Sequence, residues 1–217
     1  VSLAPYDSFN LGGHVGDRPE AVAENRRRLV EQAALPREPA WLDQVHGVRV
    51  LRLDADTPQG ETADACWTDA AGVPCAVMSA DCLPVLLCSR DGRYVAAAHA
   101  GWRGALAGVT DATIAAMELL GARRENIHAA VGPCIGQPSY EVDVGFRDRF
   151  LAPDPDNARF FIEGPAGKPH FDLEAYVVHR LIAAGIGEVE ALNLDTYPDA
   201  DRFFSFRRAT HQGEADY

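Results

Sequence analysis

Residues 79–104 read Ser79-Ala80-Asp81-Cys82-Leu83-Pro84-Val85-Leu86-Leu87-Cys88-Ser89-Arg90-Asp91-Gly92-Arg93-Tyr94-Val95-Ala96-Ala97-Ala98-His99-Ala100-Gly101-Trp102-Arg103-Gly104. Two apolar runs, Leu83 to Cys88 and Tyr94 to Ala98, flank Ser-Arg-Asp-Gly-Arg. Asp-Gly between apolar runs is the strongest short-range hairpin signal. With Asp91 and Gly92 as the turn, Leu86 pairs with Ala97, Pro84 with His99 and Cys82 with Gly101. Cys82 and His99 then become diagonal neighbours on one face, with Cβ atoms roughly 7 Å apart. That gap lets a thiolate and an imidazole meet on one metal ion, because zinc takes sulfur at about 2.3 Å and nitrogen at about 2.0 Å. A three-residue turn would shift the register by one and send the two side chains to opposite faces.

Composition bounds the rest. At 217 residues the chain is long enough for one well-buried domain, and no linker divides residues 1–217. Hydrophobic residues make up 47% and charged residues 24%, as in folded globular proteins. The net charge of -12 opposes a phosphate-tracking surface, so neither nucleic acid nor an anionic membrane is an expected partner. No apolar run reaches the roughly 20 residues needed to span a bilayer, and residues 1–20 lack signal-peptide character. Because the sequence starts at Val1 rather than Met, an upstream piece removed or left out is expected. Five cysteines without a C-x-x-C pair fit reduced thiols, which makes the cytoplasm the expected location. Cys75 and Cys88, within apolar runs, read as small core residues.

Ser8 to Asp17 is glycine-rich, suited to a turn or to close backbone approach. Asp17, with Pro19 and Glu20 behind it, predicts an N-cap and a helix to Ala34. Its inward stripe is Val22, Leu29 and Ala33, and Arg26, Arg27 and Arg28 fall on solvent. Trp41 to Val50 reads as a strand or two short ones carrying His46, and Thr57 to Asp64 as a polar loop. Ala65 to Asp69 and a strand from Pro74 to Ser79 follow. Beyond Gly104 the spacing of Leu106, Val109, Thr113, Met117 and Leu120 predicts one helix of about 17 residues, stopped at Gly121. Its N-terminus and Arg103 form a candidate anion seat beside His99.

Ile127 to Val131 reads as a strand, and Cys134 in the following turn as a packed residue. Asp143 to Leu151 is a predicted helix, Arg159 to Ile162 a strand and Gly164 to Pro169 a loop. A second helix capped by Asp172 turns Leu173, Val177, Leu181 and Ile182 inward and ends at Gly185. Val189 to Leu194 and Arg202 to Phe206 read as closing strands. Strands alternate irregularly with helices, so the expected class is α+β with mixed sheets.

No P-loop, G-x-G-x-x-G, H-E-x-x-H or G-x-S-x-G occurs. The remaining constellation is His46, Cys82 and His99. Three protein ligands with an open fourth position describe a catalytic zinc site. The same Cys-His pair could instead supply a thiol nucleophile with its base.

Gln44-Val45-His46-Gly47, Ala80-Asp81-Cys82-Leu83-Pro84-Val85, His99-Ala100-Gly101-Trp102-Arg103-Gly104 and Gly132-Pro133-Cys134-Ile135 together resemble the laccase-domain family. Asn10-Leu11-Gly12, His14-Val15-Gly16-Asp17 and Phe204-Ser205-Phe206-Arg207-Arg208 resemble its end segments, so the likeness spans nearly the whole chain. First described as polyphenol oxidases, its members are now assigned as zinc-dependent purine nucleoside phosphorylases. The resemblance implies a single α/β/β/α layered domain, zinc ligands His46, Cys82 and His99, and purine nucleosides and phosphate as partners. It implies phosphorolysis of adenosine, inosine and methylthioadenosine, and hydrolytic deamination of adenosine. Two family segments, Thr-Arg-x-Gly-Gly before Val1 and Gly-Arg-Gln near the C-terminus, lie outside the sequence.

Arg103 is the candidate phosphate-holding residue, and Asn10 is a further candidate for substrate binding. Asp81, beside Cys82, is the candidate carboxylate for proton transfer or for orienting its neighbour. Tyr140, Phe9 and Trp102 are candidate partners for the purine ring. Copper is the less favoured metal, since His128, His170, His179 and His211 show no paired spacing. Hydrolysis of a cell-wall precursor is the alternative activity, with Cys82 as nucleophile or zinc ligand.

Overall fold

A computed structural model describes residues 1–214. Its centre is the Asp91-Gly92 hairpin, whose strands β3 (Leu83–Ser89) and β4 (Val95–Ala100) pair antiparallel with Pro84 opposite His99 and Leu86 opposite Ala97. The register is the expected one, although the turn is different. Gly92 N–H donates to Ser89 O and Ser89 N–H to Tyr94 O, so Arg90 to Arg93 form a four-residue loop with Gly92 at φ 68°. Two- and four-residue loops leave the same residues facing each other, and only an odd count moves Cys82 and His99 apart.

The flanking elements build a mixed sheet, as the α+β reading expected. Strands β1 (Val50–Arg52), β2 (Ala65–Thr68), β5 (Ile127–Val131) and β8 (Glu188–Ala191) give the order β1-β2-β4-β3-β5-β8. Only β1–β2 and β5–β8 pair parallel. A second, two-stranded sheet joins β6 (Phe161–Glu163) to β7 (Pro169–Phe171). Alternation divides the large sheet into two faces. Leu83, Val85, Leu87, Ala96 and Ala98 pack with helices α3 (Val109–Glu118) and α5 (Leu173–Ala183) in the main core. Cys66 and Ala97 point the other way, into a small cluster closed by Val73, Cys75 and Val77. Cys82 and His99 belong to this second face, at its end.

Several sequence expectations need correction. Helix α1 is Pro19–Gln32, capped at Arg18 and not at Asp17, whose carboxylate instead accepts from Ser2 Oγ, Asn10 Nδ2 and Arg18 N–H. Its buried residues are Ala21, Val22 and Asn25, while Ala33 is exposed. Arg26 turns inward, holding Leu11 O with two N–H groups and lying 4.5 Å from the Trp41 ring centroid. Residues 41–49 carry only a bridge at Asp43, and 74–79 form no strand. There Gln44 substitutes for a strand partner, its amide exchanging bonds with Met78 N–H and C=O at 2.8 Å each.

The predicted 17-residue helix is two, α2 (Trp102–Ala107) and α3, because Gly108 adopts φ 96° between them. Helical periodicity continues across the break, which hides it in the sequence. Residues 202–205 form no strand; Ser205 caps helix α6 (Phe206–Gln212), its Oγ accepting from Arg208 N–H. Asp143 and Asp172 cap α4 (Val144–Leu151) and α5 as expected. Cys88, Leu120 and Ile182 are exposed rather than core, and Cys134 is buried and packed. No helix among the described residues is long and apolar enough to cross a membrane.

Candidate metal centre

His46, Cys82 and His99 meet although they come from three segments. His99 is the penultimate residue of β4, Cys82 precedes β3, and His46 stands on the loop before β1. One ligand atom from each lies within 4.8 Å of the others, the one such cluster among the described residues. His46 Nε2 is 3.5 Å from Cys82 Sγ, and the two imidazole centroids are 4.9 Å apart. Two ligand-bearing turns use left-handed backbone, with φ 61° at His46 itself and φ 85° at Asp81 beside Cys82. Such a conformation is uncommon for residues other than glycine and re-aims the chain within one residue.

Asp64 organises the group. It is fully buried, and its Oδ1 lies 3.0 Å from His99 Nδ1. The carboxylate also accepts N–H bonds from Val45, His46 and Gly47 at 3.2, 2.8 and 2.7 Å, fixing the loop that carries His46. Burial pushes its pKa up, but the His99 bond and the three N–H groups outweigh it, and the pKa lies below the usual aspartate value. An ionised carboxylate only accepts, so Nδ1 of His99 carries the proton and Nε2 keeps its lone pair for a ligand. By sequence Asp64 falls at the end of the polar loop Thr57 to Asp64. Its only signal there is position, immediately before a four-residue buried strand.

Space is set by two glycines. A Cβ on Gly101 would stand 2.5 Å from His46 Cδ2 and 2.9 Å from Cys82 Sγ. One on Gly104 would stand 2.9 Å from Gly47 O, so α2 packs directly on the His46 loop. The electrostatics favour a neutral His46 ring. Burial lowers the His46 pKa, and the His99 and Arg103 charges lower it further against the opposing field of Asp64. Burial pushes the Cys82 thiol up to about 12, helped by Asp81 and Asp64, so it is protonated at neutral pH until a cation displaces the proton.

The other candidates fall in different places. Arg103 is exposed, its guanidinium 5.0 Å from the Trp102 ring, and its charge acts on His46. Asp81 is buried, with Oδ1 accepting from Thr196 Oγ1 at 2.6 Å and Oδ2 from Arg207 N–H at 2.7 Å. Both carboxylate oxygens are thus spent on the fold beside Cys82, which favours the orienting role over proton transfer. Asn10 is buried in the N-terminal network, its amide bonded to Gly12 and Asp17, and no hydrogen bond among the described residues joins it to the triad. Trp102 packs against Phe146 at 4.9 Å, within the core.

Fold and site together define a class. Residues 1–215 match the model of the family described as multi-copper polyphenol oxidoreductase laccase, and the chain belongs to that family. It is 44% identical to purine nucleoside phosphorylase YfiH of Escherichia coli K12 over 208 residues, covering 96% of this chain and 84% of the relative. To purine nucleoside phosphorylase PA4543 of Pseudomonas aeruginosa it is 45% identical over 216 residues, covering 98% and 86%. Among solved structures, protein NMB0706 of Neisseria meningitidis superposes with a TM-score of 0.89 at 43% identity, covering 96% and 84%. YlmD of Geobacillus stearothermophilus gives 0.86 at 30% identity, covering 96% and 83%.

Proposed function

We propose that the chain is a zinc-dependent purine nucleoside phosphorylase that cleaves adenosine, inosine and methylthioadenosine with phosphate and also deaminates adenosine. The observation that carries the reading is the convergence of His46, Cys82 and His99 within 4.8 Å in this chain, whose relatives bear the phosphorylase name. Two imidazoles and one thiol form a donor set suited to zinc, and three protein ligands leave a position for substrate or water. A zinc ion there would act as a Lewis acid and make water available as a nucleophile at neutral pH, the chemistry that replacement of the adenosine amino group requires.

In phosphorolysis a phosphate oxygen forms a bond to ribose C1′ while the bond from C1′ to the purine breaks. The electron pair leaves on the base, which takes up a proton. The protein must therefore hold an anion against C1′ and stabilise charge on the leaving purine. Arg103 is the residue assigned to phosphate, because its exposed guanidinium projects from the segment directly after His99 and Gly101. Asp64 holds His99 in one tautomer and fixes the His46 loop, while Asp81 orients Cys82. Val45 and Val48, 57% and 39% exposed on either side of His46 and Gly47, offer apolar surface to a flat base.

Two other activities fit the site less well. A cysteine-nucleophile hydrolase acting on cell-wall precursors needs a thiolate, whereas burial holds the Cys82 thiol near a pKa of about 12. A copper oxidase with several metal centres needs further histidine clusters. Among the described residues His128 instead faces Glu188, His170 bonds Gln137 O, His179 bonds Arg159 and His211 bonds Tyr197. The test is release of adenine from adenosine by the zinc-loaded protein with and without phosphate. Phosphate-dependent release of one base per ribose 1-phosphate supports the reading; release without phosphate points to hydrolysis instead.

A further inference from the structure

Tyr140 follows the short 3-10 turn Gln137–Ser139, and two routes tie it to the metal-ligand segment. On one side the Arg207 guanidinium lies 5.3 Å from its ring centroid. The same arginine donates its backbone N–H to Asp81 Oδ2 at 2.7 Å and Nη1–H to Glu141 O at 2.8 Å, so it bridges Tyr140 to the residue before Cys82. On the other side Tyr140 packs on Phe146 at 5.9 Å, and Phe146 packs on Trp102 at 4.9 Å, next to Gly101. Ile135 N–H donates to Asp81 O at 2.9 Å and anchors the start of this segment to the same strand end.

Two features of this pair leave it available to a ligand. The Tyr140 ring is half-buried against the core, while its hydroxyl, which bonds no residue among those described, stays open to solvent. The Arg207 guanidinium forms no ion pair among the described residues, in a chain carrying 32 acidic side chains against 20 basic ones. Burial pushes the Tyr140 phenol pKa up. A phenol so placed stays protonated and remains a hydrogen-bond donor.

We propose that Tyr140 is a substrate-contacting residue whose hydroxyl hydrogen-bonds the nucleoside held at the His46, Cys82 and His99 site, with Arg207 as the residue that positions it. The proposal rests on the phosphorylase reading for the identity of the ligand. A neutral donor at this wall suits a purine nucleoside, whose base and ribose are polar but uncharged, and leaves phosphate to Arg103. A site whose hydroxyl loses its water when the ligand covers it also rejects ligands unable to bond it, because the group is then left unpaired.

The test uses the zinc-loaded protein, with inosine as the probe. Phosphorolysis kinetics, equilibrium binding by calorimetry, metal content and thermal melting are compared among wild type, Tyr140→Phe, Arg207→Ala and the double variant. Tyr140→Phe should keep the melting temperature and metal content while KM and Kd for inosine rise about 3- to 10-fold, the range for one lost hydrogen bond. Arg207→Ala should raise KM similarly in the wild-type background but add little in the Tyr140→Phe background, a non-additivity that a merely structural arginine would not show. Values of KM and Kd in Tyr140→Phe within twofold of wild type would overturn the proposal and leave the phosphorylase reading intact. If wild type binds inosine without turnover, that reading fails and the Kd comparison alone decides the role of Tyr140. If wild type neither turns over nor binds inosine, both fall.

Discussion

Asp64 Oδ1 stands 3.0 Å from His99 Nδ1 while the same carboxylate accepts the backbone N–H of His46, so one buried side chain sets two of three candidate metal ligands. Replacing it with asparagine removes the charge and half of the acceptor capacity without changing the shape much. Zinc affinity of Asp64→Asn, measured by chelator competition, should fall about 10- to 100-fold, as is usual for partners that orient ligands. Unchanged affinity would mean that the ligands are positioned without it.

The same aspartate also has a predicted signature in acid. Its folded pKa lies below the unfolded value, so its stabilisation is present above the unfolded aspartate pKa and is lost as pH falls through the lower folded one. Metal-free wild type should therefore lose stability through that acid window more steeply than Asp64→Asn, measured by denaturant unfolding at a series of pH values. Parallel curves for the two proteins would refute the assignment.

A methyl group at Gly101 has nowhere to go, since it would overlap His46 and Cys82. The backbone there, φ -63° and ψ 159°, suits any residue, so the demand for glycine is purely one of space. Gly101→Ala should lose metal binding and activity while keeping most of its thermal stability. Retention of one zinc per chain would show that the pocket can widen.

Because the Cys82 thiol titrates near 12 in the metal-free protein, zinc binding must displace its proton. Release of that one proton makes apparent zinc affinity rise about tenfold per pH unit between pH 7 and 9. In Cys82→Ser the slope should flatten. A pH-independent wild-type affinity would show that the thiol is not a ligand.

How much of this was legible in the sequence differs from element to element. The hairpin register followed from Asp91-Gly92 and strict alternation, and it survived a wrong turn length because Arg90 and Arg93 joined the loop as a pair. Gly108 broke a helix whose periodic stripe continues beyond it, a break fixed by one backbone dihedral. Asp64 and the left-handed turn at His46 were invisible because they depend on long-range contact: 35 residues separate Asp64 from His99. Arg26 follows the same rule, read as a wet surface residue until Leu11 and Trp41 fold onto it.

Arg103 separates the two activities proposed for the site. Phosphorolysis needs an anion held beside C1′, and deamination needs none. Arg103→Ala should raise the KM for phosphate tenfold or more while adenosine deamination falls less than about threefold. Equal losses in both reactions would remove Arg103 from the phosphate site.

The most direct test of the central claim combines metal analysis with phosphate-dependent release of adenine from adenosine, run on wild type and on Cys82→Ala. The account predicts about one zinc per wild-type chain, with base release that requires phosphate and disappears together with the metal in the variant. A folded wild-type protein that binds no zinc and releases no base, or a Cys82→Ala protein that retains full turnover, would contradict it.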